Sequence, residues 1–189
     1  MNKLLVIDTE TGGLDPAANS ILSLGAVVWN DGKLEDEFEV FIAEPEIVAG
    51  TKALEISGID VNWLREHGVP PNEAVTRLDL FVREHFSPEQ LQEKIPLAGH
   101  NASFDVDFLK RLYSFTEYKY RELFSHRILD TAGIIRFLIL AGKIPLKGAG
   151  ADAAFEFFQI KVEEGERHTA LGDARATAEL LSRAIDLIR

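Results

Sequence analysis

The stretch Leu4-Leu5-Val6-Ile7-Asp8-Thr9-Glu10-Thr11-Gly12-Gly13 sets the terms on which the rest of the chain is read. Leu4 to Ile7 form an unbroken apolar run with β-branched members, the composition of a strand covered on both faces. Asp8 and Glu10 follow, two residues apart. Side chains alternate along a strand, so both carboxylates point to one side, about 7 Å apart along the chain. Gly12-Gly13 then ends the strand. Two like charges at the end of a buried strand repel each other and are costly to desolvate. A hard divalent cation relieves both costs, and Mg²⁺ or Mn²⁺ prefers such oxygen ligands. The same residues also fit two solvated acids at a strand end, so other parts of the chain have to decide.

A length of 189 residues suits one domain with a substantial core, and 46% hydrophobic with 27% charged residues is ordinary for a soluble globular protein. No apolar stretch approaches the roughly 20 residues that span a bilayer, so no membrane role is expected. Asp8 and Glu10 interrupt the N-terminal apolar run, which is therefore not a signal peptide. The absence of cysteine excludes disulfides and thiolate metal sites and fits a cytoplasmic location. A net charge of −11 argues against coating duplex nucleic acid through many phosphates. It leaves room for a polyanion gripped at one end, because two bound divalent cations would reverse the local sign. The charge is uneven: Lys110 to Lys147 holds eight lysines and arginines against three acids, a net of +5. That stretch reads either as scattered solubilising charge or as a backbone-binding face.

Ile21 to Trp29 is a second apolar, β-rich run, and Asn30-Asp31-Gly32 is a hairpin turn signal. Leu34 to Ala43 alternates and reads as a third strand, its acids marking a wet face or an edge. Three antiparallel strands therefore open the domain. A short helix is expected over Thr51 to Ile56, stopped by Ser57-Gly58, and a longer one over Glu73 to Phe86, capped by Pro70-Pro71-Asn72. Ile95 to Gly99 reads as a strand, Ala102 to Phe115 as a helix and Ile128-Leu129 as a minimal strand. Asp130-Thr131 caps a helix to Leu140, and Ala149 to Phe158 and Ala170 to Ile188 read as the last two helices. Phe155, Phe157 and Phe158 fit either a core or a subunit contact. No linker or repeat divides the chain, so one mixed α/β domain spanning residues 1–189 is expected, with helices on both sheet faces.

Two further stretches carry chemistry. In Gly99-His100-Asn101-Ala102-Ser103-Phe104-Asp105 a strand ends and an acid enters the first turn of a helix, where the dipole favours it in any case. In His168-Thr169-Ala170-Leu171-Gly172-Asp173 an imidazole precedes the last helix and an acid lies about a turn inside it. Alone, Asp105 reads as a capping acid and His168 as a solvated loop residue. Together, Asp8, Glu10, Asp105 and Asp173 with His168 make the minimum kit for a two-metal site, in which an imidazole takes the proton of an activated water.

Ile7-Asp8-Thr9-Glu10-Thr11-Gly12-Gly13-Leu14, Gly99 to Asp105 and His168 to Ala174 resemble the three exonuclease motifs of the DEDDh 3′–5′ exonucleases. That family includes the proofreading subunit of bacterial replicative polymerases, ribonuclease T and oligoribonuclease. The motifs occur in the family's order and bracket almost the whole chain, and His168 five residues before Asp173 points to the His branch. The resemblance implies an RNase H-like fold with a five-stranded mixed sheet. It implies two Mg²⁺ or Mn²⁺ ions held by Asp8, Glu10, Asp105 and Asp173, and His168 as general base. It also places the backbone of Thr11 and Gly12 along the 3′-terminal nucleotide. Ser57-Gly58-Ile59 is similar to the family's His-Gly-Ile segment, which assigns Ile59 to the terminal base, although Ser57 departs from the usual His. His100 and Asn101 are read as shaping the strand–helix junction.

The expected activity is removal of nucleoside 5′-monophosphates from the 3′ ends of single-stranded DNA or RNA. Within that class, a proofreading subunit of a DNA polymerase and an RNA-trimming exoribonuclease both remain open, since RNA against DNA turns on how the sugar 2′ position is sensed. The end of the chain at Arg189, directly after the last helix, favours a free-standing enzyme or a minimal proofreading domain. An inactive nucleic-acid-binding module on the same fold is the non-enzyme alternative, and all five motif residues are present against it. No Asp-x-Asp-x-Asp-Gly loop supports a Ca²⁺-binding protein.

Overall fold

The structure, a computed structural model, describes residues 3–163 and 165–189. Strand β1 (Lys3–Thr11) lies at the centre of a five-stranded sheet with β2 (Ile21–Asn30), β3 (Lys33–Phe41), β4 (Ile95–Gly99) and β5 (Phe124–Asp130), in the order β3-β2-β1-β4-β5. The β1–β2 and β2–β3 pairs are antiparallel, and the β1–β4 and β4–β5 pairs are parallel. Asp31 and Gly32 join β2 to β3 with φ values of 46° and 87°, the left-handed pair that a two-residue hairpin turn needs. The acid-rich β3 is indeed an edge strand, which explains how it keeps Glu35 and Asp36 in water.

Burial on both faces accounts for the apolar run of β1. Leu5 and Ile7 pack against α3 (Pro71–His85) and α5 (Ser103–Ser114), through Val75, Leu78, Phe108 and Leu112. Leu4 and Val6 pack on the opposite face against Ala174, Ala178 and Leu181 of α9 (Ala170–Asp186). A third cluster joins α9 to α7 (Thr131–Leu140) and α8 (Ala151–Phe157), with Phe155 buried in it and Phe157 and Phe158 packed against it. That places all three phenylalanines against a core.

By strand alternation Asp8 and Glu10 continue the Leu4–Val6 face, toward α9, whereas Thr9 continues the Leu5–Ile7 face, toward α5. The helices are brought to these positions by close approach. Gly25 of β2 is paired with Asp8, and a β-carbon on it would lie 2.3 Å from the Ala170 carbonyl, so the first turn of α9 rests directly on the sheet.

The structure adds three short helices that the sequence pattern does not reveal: α2 (Val61–His67), α4 (Pro88–Glu93) and α6 (Tyr120–Leu123). Each is at most seven residues, too short to show a periodic apolar face, and Leu64 is the one buried residue of α2. The short helix after β3 is present as α1 (Thr51–Ser57), closed by Gly58 in the left-handed region. Strand β5 is longer than its two apolar residues suggest, because polar Ser125, His126 and Arg127 extend it along the sheet edge. Arg111, part of the basic stretch, is turned inward onto buried Glu44 at 2.7 Å and is structural. Among the described residues no helix is long and apolar enough to cross a membrane.

Candidate active site

The C-terminal end of β1 and the first turn of α9 meet over the sheet. Thr169 caps α9 by accepting from the Gly172 amide at 3.1 Å, and this fixes the turn that carries Asp173. One carboxylate oxygen each from Asp8, Glu10 and Asp173 lies within 4.8 Å of the others. Burial pushes the Asp8 carboxyl well above its ordinary range, and the charges of Asp105, Asp173 and Glu10 push it further. Glu10 is pushed up to about 8, by burial first and then by Asp173. Asp173 is raised as well, chiefly by burial. The cluster therefore has more negative charge than its surroundings can support.

The donor set is all oxygen, and Asp173 Oδ1 is buried without a hydrogen-bond partner among the described residues. Both features fit a hard divalent cation, which would lower all three carboxyl pKa values and give the orphaned oxygen a partner. They do not suit a soft metal, since sulfur ligands are absent.

Asp105 stands beside this trio but outside it. Its Oδ1 accepts from the Thr9 amide at 2.9 Å and from Thr9 Oγ1 at 2.8 Å, which clamps the first turn of α5 onto β1 between the two β1 acids. Its charge is the foremost of those raising Asp8, and burial raises its own carboxyl despite the bonds from Thr9. The four expected acids thus share one electrostatic site, with three of them in mutual ligand range.

His168 is exposed in the loop before α9, with φ +65°. It lines a cavity of about 500 Å³ with Glu10, Glu39, Ile59 and Trp63. Thr11 and Gly12 line a different cavity of about 420 Å³, together with Glu10, Leu14, Ile56 and Phe104. The end of α1 and the residues just after it contribute to both cavities: Ile56 to the second, Ser57 and Ile59 to the first. Ile59 thus lines the space on the His168 side of Glu10, and Thr11 and Gly12 the space on the Phe104 side. Glu10 reaches both cavities.

His100 Nδ1 lies 2.9 Å from Thr131 Oγ1 and its Nε2 2.8 Å from the Ala149 carbonyl, which ties the end of β4 to α7 and to the approach of α8. The Asn101 amide donates to Asp130 Oδ1 at 3.0 Å, the same oxygen that caps α7. Sequence reasoning missed Ile56 and Phe104, which give the second cavity its apolar wall. It also missed Arg167, whose Nη1 donates to Asp173 Oδ2 and whose Nη2 donates to Asp152 Oδ1 at 2.6 Å. Its position directly before His168 was the available signal.

The family model described as Exonuclease, of the RNase T type, matches residues 5–181. The chain is 29% identical over 187 residues to the PolC-type DNA polymerase III of Caldanaerobacter subterraneus subsp. tengcongensis, an alignment covering 99% of this chain and 12% of that protein. The ribonuclease T of Baumannia cicadellinicola is 27% identical over 191 residues, covering 96% of this chain and 83% of that protein. The chain thus spans about an eighth of the PolC-type relatives it matches. Among solved structures, E. coli exonuclease I in complex with a dT13 oligonucleotide superposes with a TM-score of 0.79 at 16% identity, over 96% of this chain and 40% of that one. That likeness shows the RNase H-like fold.

Proposed function

Because the chain belongs to the exonuclease family, we propose that it shortens single-stranded DNA or RNA from the 3′ end, releasing one nucleoside 5′-monophosphate per hydrolytic step. The observation that carries this reading is the convergence of Asp8, Glu10 and Asp173, with Asp105 beside them. These four carboxylates would hold two Mg²⁺ or Mn²⁺ ions. When bound, such ions supply the positive charge that stabilises a doubly charged, five-coordinate phosphorus.

The chain's own residues do the rest. The His168 imidazole, exposed in the loop beside Glu10, takes the proton from the attacking water as its oxygen closes on phosphorus. The bond from phosphorus to the 3′ oxygen of the penultimate nucleotide breaks, and that oxygen takes a proton from solvent, leaving a new 3′ hydroxyl and a free mononucleotide. The cavity formed by Thr11, Gly12, Leu14, Ile56 and Phe104 takes the terminal base on its apolar wall, and the backbone at Gly12 lies against the sugar. Ile59, in the adjoining cavity, contacts the strand on the far side of Glu10. The whole chain acts as one exonuclease domain in the cytoplasm.

A second reading, a proofreading unit of a DNA polymerase, is favoured by the PolC-type relatives, which align with nearly all of this chain. The test common to both is incubation of 5′-labelled single-stranded DNA and RNA with Mg²⁺ and with Mn²⁺. A ladder that shortens from the 3′ end supports the reading and shows which sugar is preferred. Intact oligonucleotides bound without cleavage would point instead to an inactive binding module. A mismatched primer end trimmed faster than a paired one supports the proofreading role.

A further inference from the structure

Arg167 is the residue at this site that the proposed reaction leaves without a task. Its guanidinium lies between two helices and touches both. On the α9 side, Nη1 donates to Asp173 Oδ2. On the α8 side, Nε and Nη2 both reach Asp152 Oδ1, at 3.1 and 2.6 Å, and the guanidinium lies 5.5 Å from the centre of the buried Phe155 ring. A guanidinium is a rigid planar fork, so contacts on two of its edges and on its face fix its orientation.

The informative detail is how this divides Asp173. One carboxylate oxygen, Oδ2, is taken by Arg167, and the other, Oδ1, is buried with no partner among the described residues. A carboxylate held by one oxygen cannot swing freely about its last bond, so its free oxygen keeps one direction. Ligands to metal ions are commonly oriented in this manner by a hydrogen-bonding neighbour, and loss of that neighbour typically costs about 10–100-fold in metal affinity.

We propose that Arg167 is a positioning residue for the cation site: anchored on α8 through Asp152 and Phe155, it holds Asp173 by Oδ2 so that Oδ1 is presented to the divalent cation. This rests on the reading of the carboxylate trio as a cation site. The opposite role is equally specific: a guanidinium that merely neutralises the cluster would compete with the cation, and its removal would tighten binding.

The test is calorimetric titration of the full chain with Mn²⁺ alone, without nucleic acid, alongside a melting curve for each variant. Arg167→Gln removes the fork and should weaken Mn²⁺ binding about 10-fold or more. Arg167→Lys, which can still donate to Oδ2, should recover most of that loss. Asp152→Asn loosens the α8 anchor but leaves the bond to Asp173, so its loss should be about threefold or less. Equal or tighter binding by Arg167→Gln overturns the proposal in favour of competition. An Asp152→Asn loss as large as that of Arg167→Gln overturns it in favour of a loop anchor. If Arg167→Gln does not fold, the lysine and asparagine variants decide alone: a lysine variant that itself loses about 10-fold or more, or an Asp152→Asn loss of that size, overturns the proposal. Failure of the wild-type chain to take up Mn²⁺ would instead remove the cation site itself and the function built on it.

Discussion

Gly25 lies so close beneath Ala170 that a β-carbon on it would sit 2.3 Å from the Ala170 carbonyl oxygen. Gly25 is also the cross-strand partner of Asp8. The missing side chain on β2 is therefore what lets α9 settle low enough for Asp173 to meet the β1 acids. Gly25→Ala should lift the first turn of α9, lowering stability by about 1–3 kcal/mol. The same shift should weaken Mn²⁺ uptake, because ligand spacing is set by that contact. Thermal unfolding and Mn²⁺ titration of the variant check both effects. A variant that melts like the wild type and binds Mn²⁺ equally well would show that the backbone yields elsewhere.

Asp105 has two duties that substitution can separate. Asp105→Ala removes the acceptor for the Thr9 amide and hydroxyl, leaving a buried donor unpaired at a cost of about 1–3 kcal/mol. It also removes a charge from the site, and Mn²⁺ uptake there should be lost. Asp105→Asn keeps an acceptor for Thr9, so its melting temperature should stay near that of the wild type while cation binding still falls. Wild-type Mn²⁺ affinity in the asparagine variant would reduce Asp105 to a clamp between α5 and β1.

Much of this arrangement could be read from the residues alone, and the parts that could not share a cause. The spacing of Asp8 and Glu10, the Asn30-Asp31-Gly32 turn and the acid at the start of α9 are local signals. Each depends on a few neighbouring residues and survives any tertiary context. Arg167 is different: its value lies in bridging Asp152 of α8 and Asp173 of α9, a tertiary link that no periodicity announces. Ile56 and Ile59 differ by three positions, yet with the left-handed turn at Gly58 between them they line different sides of the space around Glu10. Strand β5 was under-read because Ser125-His126-Arg127 pairs on one side only, and an edge strand needs no apolar run.

His168 sits in an exposed loop and lines the cavity beside Glu10, so its loss should spare the fold and the cation site. His168→Ala should lower kcat by about 10²–10⁴-fold with little change in KM, the signature of a proton acceptor used only in the transition state. Single-turnover assays on a labelled oligonucleotide separate the two constants. A KM that rises in step with the fall in kcat would assign His168 to substrate binding instead.

The raised carboxyl groups make a prediction about pH whose sign runs against common experience with acids in proteins. Glu10 goes from an ordinary 4.5 to about 8, and Asp8, Asp105 and Asp173 are displaced in the same direction, all chiefly by burial. Between the unfolded and folded values the native state binds more protons than the unfolded one, so stability falls as pH rises. The contribution is intact below about pH 4 and is lost progressively toward pH 8. His100, pushed down by burial, acts in the opposite sense at lower pH, so melting curves without cation mix the two effects. The comparison that isolates the cluster is the gain in melting temperature on adding Mg²⁺ or Mn²⁺ at fixed pH. A cation binds the ionised carboxylates and stabilises the fold by mass action, and it must displace protons where the groups hold them. The gain should therefore be clearly larger at pH 8 than at pH 6, and cation uptake at pH 6 should release protons measurable in weakly buffered solution. An equal gain at both values would mean that the trio is already ionised at pH 6, and that crowding among Asp8, Glu10 and Asp173 is relieved by something other than protonation.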